Sequence, residues 1–126
     1  TLVHGDFRPG NSLVEKGRLS AMLDWELAHL GDPMEDLGWW CVPTGYEREH
    51  FIPGAWEHEQ FLAYYEELTG AAVDRDALQF YRVLSVFKFE GILQTGIRAF
   101  CEGRADRPAS GSSAMTRLLM QMIGLS

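Results

Sequence analysis

From Asp74 onward the apolar side chains Leu78, Tyr81, Leu84, Phe87, Ile92, Ile97 and Phe100 recur at helical intervals, and this run constrains the fold more than any other feature of the chain. The apolar residues stand on most sides of the helix rather than along one stripe, the pattern of a helix buried at the centre of a domain. Gly91 and Gly96 fall inside it. Each costs about 1 kcal/mol relative to Ala, which predicts a close helix contact or a bend there. Phe80, Tyr81, Phe87 and Phe89, with Trp39 and Trp40 upstream, recur at packing intervals and read as core rather than as a ligand cage. With 126 residues, 46% of them hydrophobic, the chain can form one compact domain with a real core.

The elements around that helix differ along the chain. Leu2-Val3, Ser12-Leu13-Val14 and Leu19 to Leu23 are short apolar runs punctuated by Gly5, Gly10 and Gly17, which predicts a small β region. Lys16-Gly17-Arg18 turns a hairpin whose second strand delivers Asp24 at its end. Asp32-Pro33-Met34-Glu35 reads as a helix start, with Asp32 as N-cap, Pro33 at the first helical position and Glu35 completing a capping-box variant. That helix is expected to run to about Val42. Pro43 to Gly54 is a loop, then Trp56, Phe61, Tyr64, Tyr65 and Leu68 mark a helix that Gly70 ends. Arg104 to Ser113 is a polar loop, and Met115, Leu118, Leu119, Met122 and Ile123 form the apolar stripe of a last, amphipathic helix.

Composition excludes several classes of partner. Eighteen acidic against eleven basic residues leave a net charge of −7, which repels polyanions, so no nucleic-acid partner is expected. No apolar run approaches the roughly 20 residues that span a bilayer, and no basic-then-apolar leader opens the chain, so no membrane partner and a cytoplasmic location are expected. Cys41 and Cys101 lack CxxC spacing and read as reduced core thiols. His50 and His58 with Glu57 and Glu59 have no HExxH spacing and read as a solvated face rather than a zinc site. The chain opens on Thr1 and an apolar strand, which suggests that it begins inside a larger protein.

The stretch that carries chemistry is His4-Gly5-Asp6-Phe7-Arg8-Pro9-Gly10-Asn11, followed after the hairpin by Leu23-Asp24-Trp25-Glu26. Phosphoryl transfer asks little covalent help from a protein. It needs a carboxylate to orient the attacking hydroxyl and oxygen ligands to hold Mg²⁺ against phosphates. Asp6, Asn11 and Asp24 supply those groups, and the five-residue step from Asp6 to Asn11 matches the kinase catalytic loop. His4 reads as a buried loop anchor and Asp32 as a cap. Glu26 stands open between a metal-side role and a structural one.

His-Gly-Asp-x-x-x-x-Asn followed by Asp-Trp-Glu resembles the signature of the aminoglycoside phosphotransferase and choline kinase family. The continuation through Asp32-Pro33 and Asp36-Leu37-Gly38 is most similar to the branch linked to acyl-CoA dehydrogenases, although that branch leads one to expect Asp where this chain has Gly10. The resemblance implies an α+β fold for residues 1–126: the mainly helical C-terminal lobe of a protein-kinase-like fold, with a small β-hairpin region carrying the catalytic loop. It implies Asp6 as catalytic base, Asn11 and Asp24 as Mg²⁺ ligands and hence the ATP-binding groups of this lobe, and Arg8 as a catalytic, phosphate-facing cation. Asp36 parallels the aspartate that braces a kinase catalytic loop from the following helix.

The implied reaction is Mg²⁺-dependent transfer of the ATP γ-phosphoryl to a small-molecule hydroxyl of aminoglycoside, choline or hydroxyacyl type. Acceptor choice would rest on residues 43 to 54 and on the 74 to 103 helix. No G-x-G-x-x-G or G-x-x-x-x-G-K-[ST] occurs, so the ATP-binding N-terminal lobe is expected upstream and the isolated chain is expected to be inactive. A different class of reading is a kinase-derived, non-catalytic module that forms a homodimer through a surface that lobe would cover. A metal hydrolase is a third, disfavoured because no closed ligand set is present.

Overall fold

The computed structural model describes residues 1–42, 57–109 and 112–125. Among these described residues are four short strands, four helices and two 3₁₀ turns: β1 (Leu2–Val3), β2 (Ser12–Glu15), β3 (Arg18–Met22), β4 (His29–Leu30), α1 (Met34–Trp40), α2 (His58–Thr69), α3 (Arg75–Cys101) and α4 (Ser112–Met122). This is the α+β, mainly helical architecture expected from the sequence. The chain divides into two compact units, residues 1–82 and 83–126, and α3 begins in the first and ends in the second.

In the first unit β2 and β3 form an antiparallel hairpin in which Glu15 faces Arg18. The two residues between them, Lys16 and Gly17, have φ of 51° and 75°. Positive φ at both positions is the twist-matched two-residue turn, and glycine at the second makes it accessible. The sequence did not disclose a second sheet, in which β1 pairs antiparallel with β4, Leu2 opposite Leu30 and Val3 opposite His29. Two-residue strands carry too little alternation to be read from sequence, and only their pairing makes them strands. Val3 is fully buried there.

At the start of α1 Asp32 Oδ1 accepts the Met34 amide at 2.8 Å, as a capping side chain does, but the helix begins at Met34 rather than at Pro33, and Glu35 Oε2 meets His29 Nε2 at 3.1 Å. The helix ends at Trp40, two residues short of the expected Val42. Helix α2 starts with a capping box: the Glu57 side chain accepts the Gln60 amide while Gln60 Oε1 accepts the Glu57 amide at 3.0 Å. It ends at Gly70. The expected loop from Pro43 to Gly54, Trp56 and His50 lie outside the described residues. Met34, Leu37, Cys41, Leu62, Val73 and Leu78 form the core, with Trp40, Phe61, Tyr65 and Tyr81 packed against it. Helices α1 and α3 approach closely at Gly38, where a Cβ would lie 2.8 Å from Tyr81 Cβ and 2.9 Å from its carbonyl carbon.

The expectation of a deeply buried α3 is corrected in part. Leu78, Val86 and Leu93 are buried, but Phe80 and Phe87 are 61% and 63% exposed, and Ile92 and Phe100 are exposed too. Phe80, whose ring meets Tyr81 edge-on at 5.2 Å, and Phe87 both keep most of their surface in solvent, so helical periodicity alone does not place them in the core. Gly96 does mark a close approach, its would-be Cβ lying 2.9 Å from Ala109 Cβ, whereas Gly91 meets nothing within 4 Å among the described residues. In the second unit Met115 of α4 is buried, as the stripe predicts, while Ile123 falls beyond the helix end and is exposed.

Cys41 is buried and Cys101 exposed, both as free thiols, so the core assignment holds for the first and is corrected for the second. Burial pushes the Cys41 thiol up to about 11. Thiolate is the reactive form. Alkylation near pH 8 followed by peptide mapping is therefore expected to label Cys101 readily and Cys41 only after unfolding. Equal labelling of both in the native state would contradict the core drawn here.

Candidate active site

The loop after β1 is fastened before any side chain of chemical interest appears. The amides of His4 and Gly5 donate to the two oxygens of Asp36, at 2.7 Å to Oδ2 and 2.9 Å to Oδ1. One carboxylate on the first turns of α1 thus satisfies two successive backbone donors, the bracing expected of Asp36. Gly5 has φ of 82°, and a Cβ there would lie 2.8 Å from both Cβ and the carbonyl oxygen of Leu27. Only glycine meets both conditions.

His4 is 3% exposed and works as an anchor. Its Nδ1 accepts the Asp6 amide at 3.3 Å, so the ring proton sits on Nε2, which donates to the Leu23 carbonyl at 2.8 Å. Trp25 packs on the ring with centroids 4.5 Å apart. Sequence gave no signal for that contact. Phe7 meets the His4 ring edge-on at 6.5 Å and Trp40 at 5.7 Å, and Trp40 in turn stacks on Phe61 at 5.2 Å, tying the loop to the core of this unit.

Asp6 and Asn11 are brought together. Asn11 closes the 3₁₀ turn Pro9–Asn11 and is 5% exposed, with Nδ2 donating to Asp6 Oδ2 at 2.7 Å and to the Asp6 carbonyl at 3.0 Å. Both partners are acceptors, so the amide nitrogen must face them, and Asn11 Oδ1 is the atom left without a partner among the described residues. Arg8 Nε reaches the same Asp6 Oδ2 at 3.0 Å. The cation expected to face phosphate thus forms an ion pair with the Asp6 carboxylate.

Asp24 follows β3 by two residues, and its approach is held on both sides. The Leu23 amide donates to the Asn11 carbonyl at 2.7 Å while the Leu23 carbonyl accepts from His4. Asp24 itself adopts φ 65°, ψ 55°. A non-glycine residue there carries strain of order 1–3 kcal/mol, which persists where surrounding structure enforces it and clusters at functional sites. The 3₁₀ turn Trp25–Leu27 follows at once, with Trp25 Nε1 donating to the Met22 carbonyl at 2.8 Å. Asp24 and Glu26 are exposed, and neither has a hydrogen-bond or ion-pair partner among the described residues.

The donor set fits magnesium. Asn11 Oδ1 and the Asp24 carboxylate are hard oxygen donors of the kind Mg²⁺ accepts, and Mg²⁺ ordinarily takes one or two protein groups and completes its shell with phosphate and water. Among the described residues no group of three or more His, Cys, Asp or Glu is arranged around a metal position. A cavity of about 370 Å³ opens elsewhere in the same unit, among residues that include Cys41, Glu59, Arg75, Gln79 and Arg82, and none of the loop residues lines it.

Comparison with known proteins agrees with this arrangement. Acyl-CoA dehydrogenase family member 11 of Gallus gallus is 31% identical over 86% of this chain and 16% of that protein. Its Mus musculus counterpart is 31% identical over 91% of this chain and 16% of that protein. Acyl-CoA dehydrogenase family member 10 of Mus musculus is 52% identical over 44 residues, 33% of this chain and 4% of that protein. The chain therefore spans less than one fifth of the length of each of these relatives. The model of the phosphotransferase enzyme family matches residues 1–84, the stretch that carries the braced loop, Asp6, Asn11 and Asp24, and this chain belongs to that family.

Proposed function

We propose that this chain is the catalytic, C-terminal lobe of a small-molecule kinase that moves the ATP γ-phosphoryl to an alcohol hydroxyl with Mg²⁺, working with an ATP-binding N-terminal lobe. The observation that carries the reading is the hydrogen-bonded unit of Asp6, Asn11 and the Leu23-Asp24 segment, held from beneath by Asp36 and His4. Asp6 accepts the proton of the acceptor hydroxyl and orients its oxygen. Asn11 and Asp24 hold the metal, which when bound neutralises charge on the phosphates. Asn11 has two functions, because the amide that presents Oδ1 also holds Asp6.

The acceptor follows from weaker features. The net charge of −7 suits a cationic aminosugar or amino alcohol. The names of the relatives, acyl-CoA dehydrogenase family members, favour a hydroxyacyl compound instead. Mg²⁺-dependent ATP consumption by the full-length protein across aminoglycosides, amino alcohols and hydroxyacyl-CoAs is expected to show turnover with one class only. Absence of both acceptor-dependent turnover and Mg²⁺-nucleotide binding would refute the kinase reading.

The exposed cross-strand pair of Val14 and Leu19 favours a second reading. An unpaired apolar face of this kind suits a non-catalytic dimerisation module as well as a covering lobe. A dimer in solution without affinity for Mg²⁺ or nucleotide would select it.

A further inference from the structure

Asp6 has two carboxylate oxygens, and the structure treats them differently. Oδ2 accepts from Asn11 Nδ2 at 2.7 Å and from Arg8 Nε at 3.0 Å, while Oδ1 has no partner among the described residues. The Arg8 side chain is 44% exposed and that of Asp6 19%, so the guanidinium closes on the carboxylate from the solvent side. Room for it comes from one residue. A Cβ at Gly10 would lie 2.7 Å from Arg8 Nη1 and 3.6 Å from its Cζ, with nothing else within 4 Å, and Gly10 is not at positive φ. The backbone conformation at position 10 therefore does not by itself call for glycine, and what the missing Cβ leaves free is the place of the Arg8 guanidinium.

We propose that Gly10 and Arg8 act as one latch that positions Asp6, holding Oδ2 against Asn11 so that Oδ1 alone is offered to the acceptor hydroxyl. This rests on the phosphotransferase reading above and extends it to two positioning residues. Arg8 neutralises and orients the carboxylate through the oxygen that does not react. Rotation of the carboxylate would otherwise present either oxygen, and a misplacement of about 1 Å at a reacting group costs about 10²-fold in rate. Because a methyl at position 10 would meet only the far end of a flexible side chain, Gly10→Ala displaces the guanidinium without disturbing the loop.

The test uses the full-length protein, with the acceptor found active in the panel above. Gly10→Ala and Arg8→Ala are each expected to lower kcat by about 10- to 100-fold with the KM for ATP and the thermal midpoint unchanged. The double substitution is expected to be no worse than either single one, since both remove the same contact. Arg8→Lys, which keeps the charge but loses the planar donor, is expected to recover part of the rate. A crystal structure of Gly10→Ala supplies a readout independent of turnover, with the guanidinium expected off Asp6 Oδ2. The latch is overturned if Gly10→Ala leaves kcat within twofold of the parent, if the two single effects multiply in the double, or if the guanidinium stays in place. An unsubstituted protein with no turnover on any acceptor counts against the phosphotransferase reading, and the crystal structure then decides the latch by itself.

Discussion

Asp6→Ala is expected to lower acceptor-dependent turnover of the full-length protein by about 10²- to 10⁴-fold, the range lost with a positioned general base. The proposed metal ligands are a different set, Asn11 Oδ1 and Asp24, so affinity for Mg²⁺ and ATP should change little. Stability should also hold, because Asp6 is partly exposed and its removal leaves Arg8 free to turn to solvent and Asn11 Nδ2 still bonded to the residue 6 carbonyl. Steady-state kinetics paired with calorimetric nucleotide titration separates the two effects. Full turnover in the variant would remove Asp6 from the mechanism, and a loss of nucleotide affinity equal to the loss of rate would move it into the metal site.

Asp36→Ala should have the opposite profile, losing stability and activity together. The side chain satisfies the amides of His4 and Gly5, both residues being buried. A buried donor left unpaired costs about 1–3 kcal/mol, so deleting the carboxylate that serves two of them is expected to destabilise the fold by about 2–6 kcal/mol. Asp36→Asn should rescue only in part, because a carboxamide has one acceptor oxygen for two amides and turns a donor toward the second. Equilibrium denaturation of the three proteins checks the order. If Asp36→Ala fell within about 0.5 kcal/mol of the parent, the range of an ordinary surface change, the brace would be dispensable.

The two variants separate the residues proposed to react from those that hold the loop, and sequence discloses the first group better than the second. Asp6, Asn11 and Asp24 stand out because the order and spacing of a carboxylate, a carboxamide and a carboxylate are themselves the chemical signature. Asp36 could be proposed from its place after the loop, but its bidentate grip on two amides is visible only in three dimensions. Trp25 on His4, Leu27 against Gly5 and Gly10 beneath Arg8 had no signature at all. Each is a packing fact about a residue whose type is common in turns or cores. Phe80 and Phe87 show the converse: periodicity indicates which residues share a helix face, but not whether anything covers that face.

The sequence by itself determined the Lys16-Gly17 hairpin, the Asp32 cap, the end of α2 at Gly70, the extent of α3 and the order of the chemical groups. These depend on backbone conformation and hydrogen bonds among residues a few positions apart. Tertiary structure decided which ring nitrogen of His4 carries the proton, which oxygen of Asp6 and which atom of Asn11 remain free, and that β1 finds β4. It also decided that Asp24 is presented from a left-handed turn. The bonds responsible join His4 to Leu23 across 19 residues and to Asp36 across 32. Interactions of that span exist only once the intervening hairpin and helix have folded, so no local pattern along the chain could contain them.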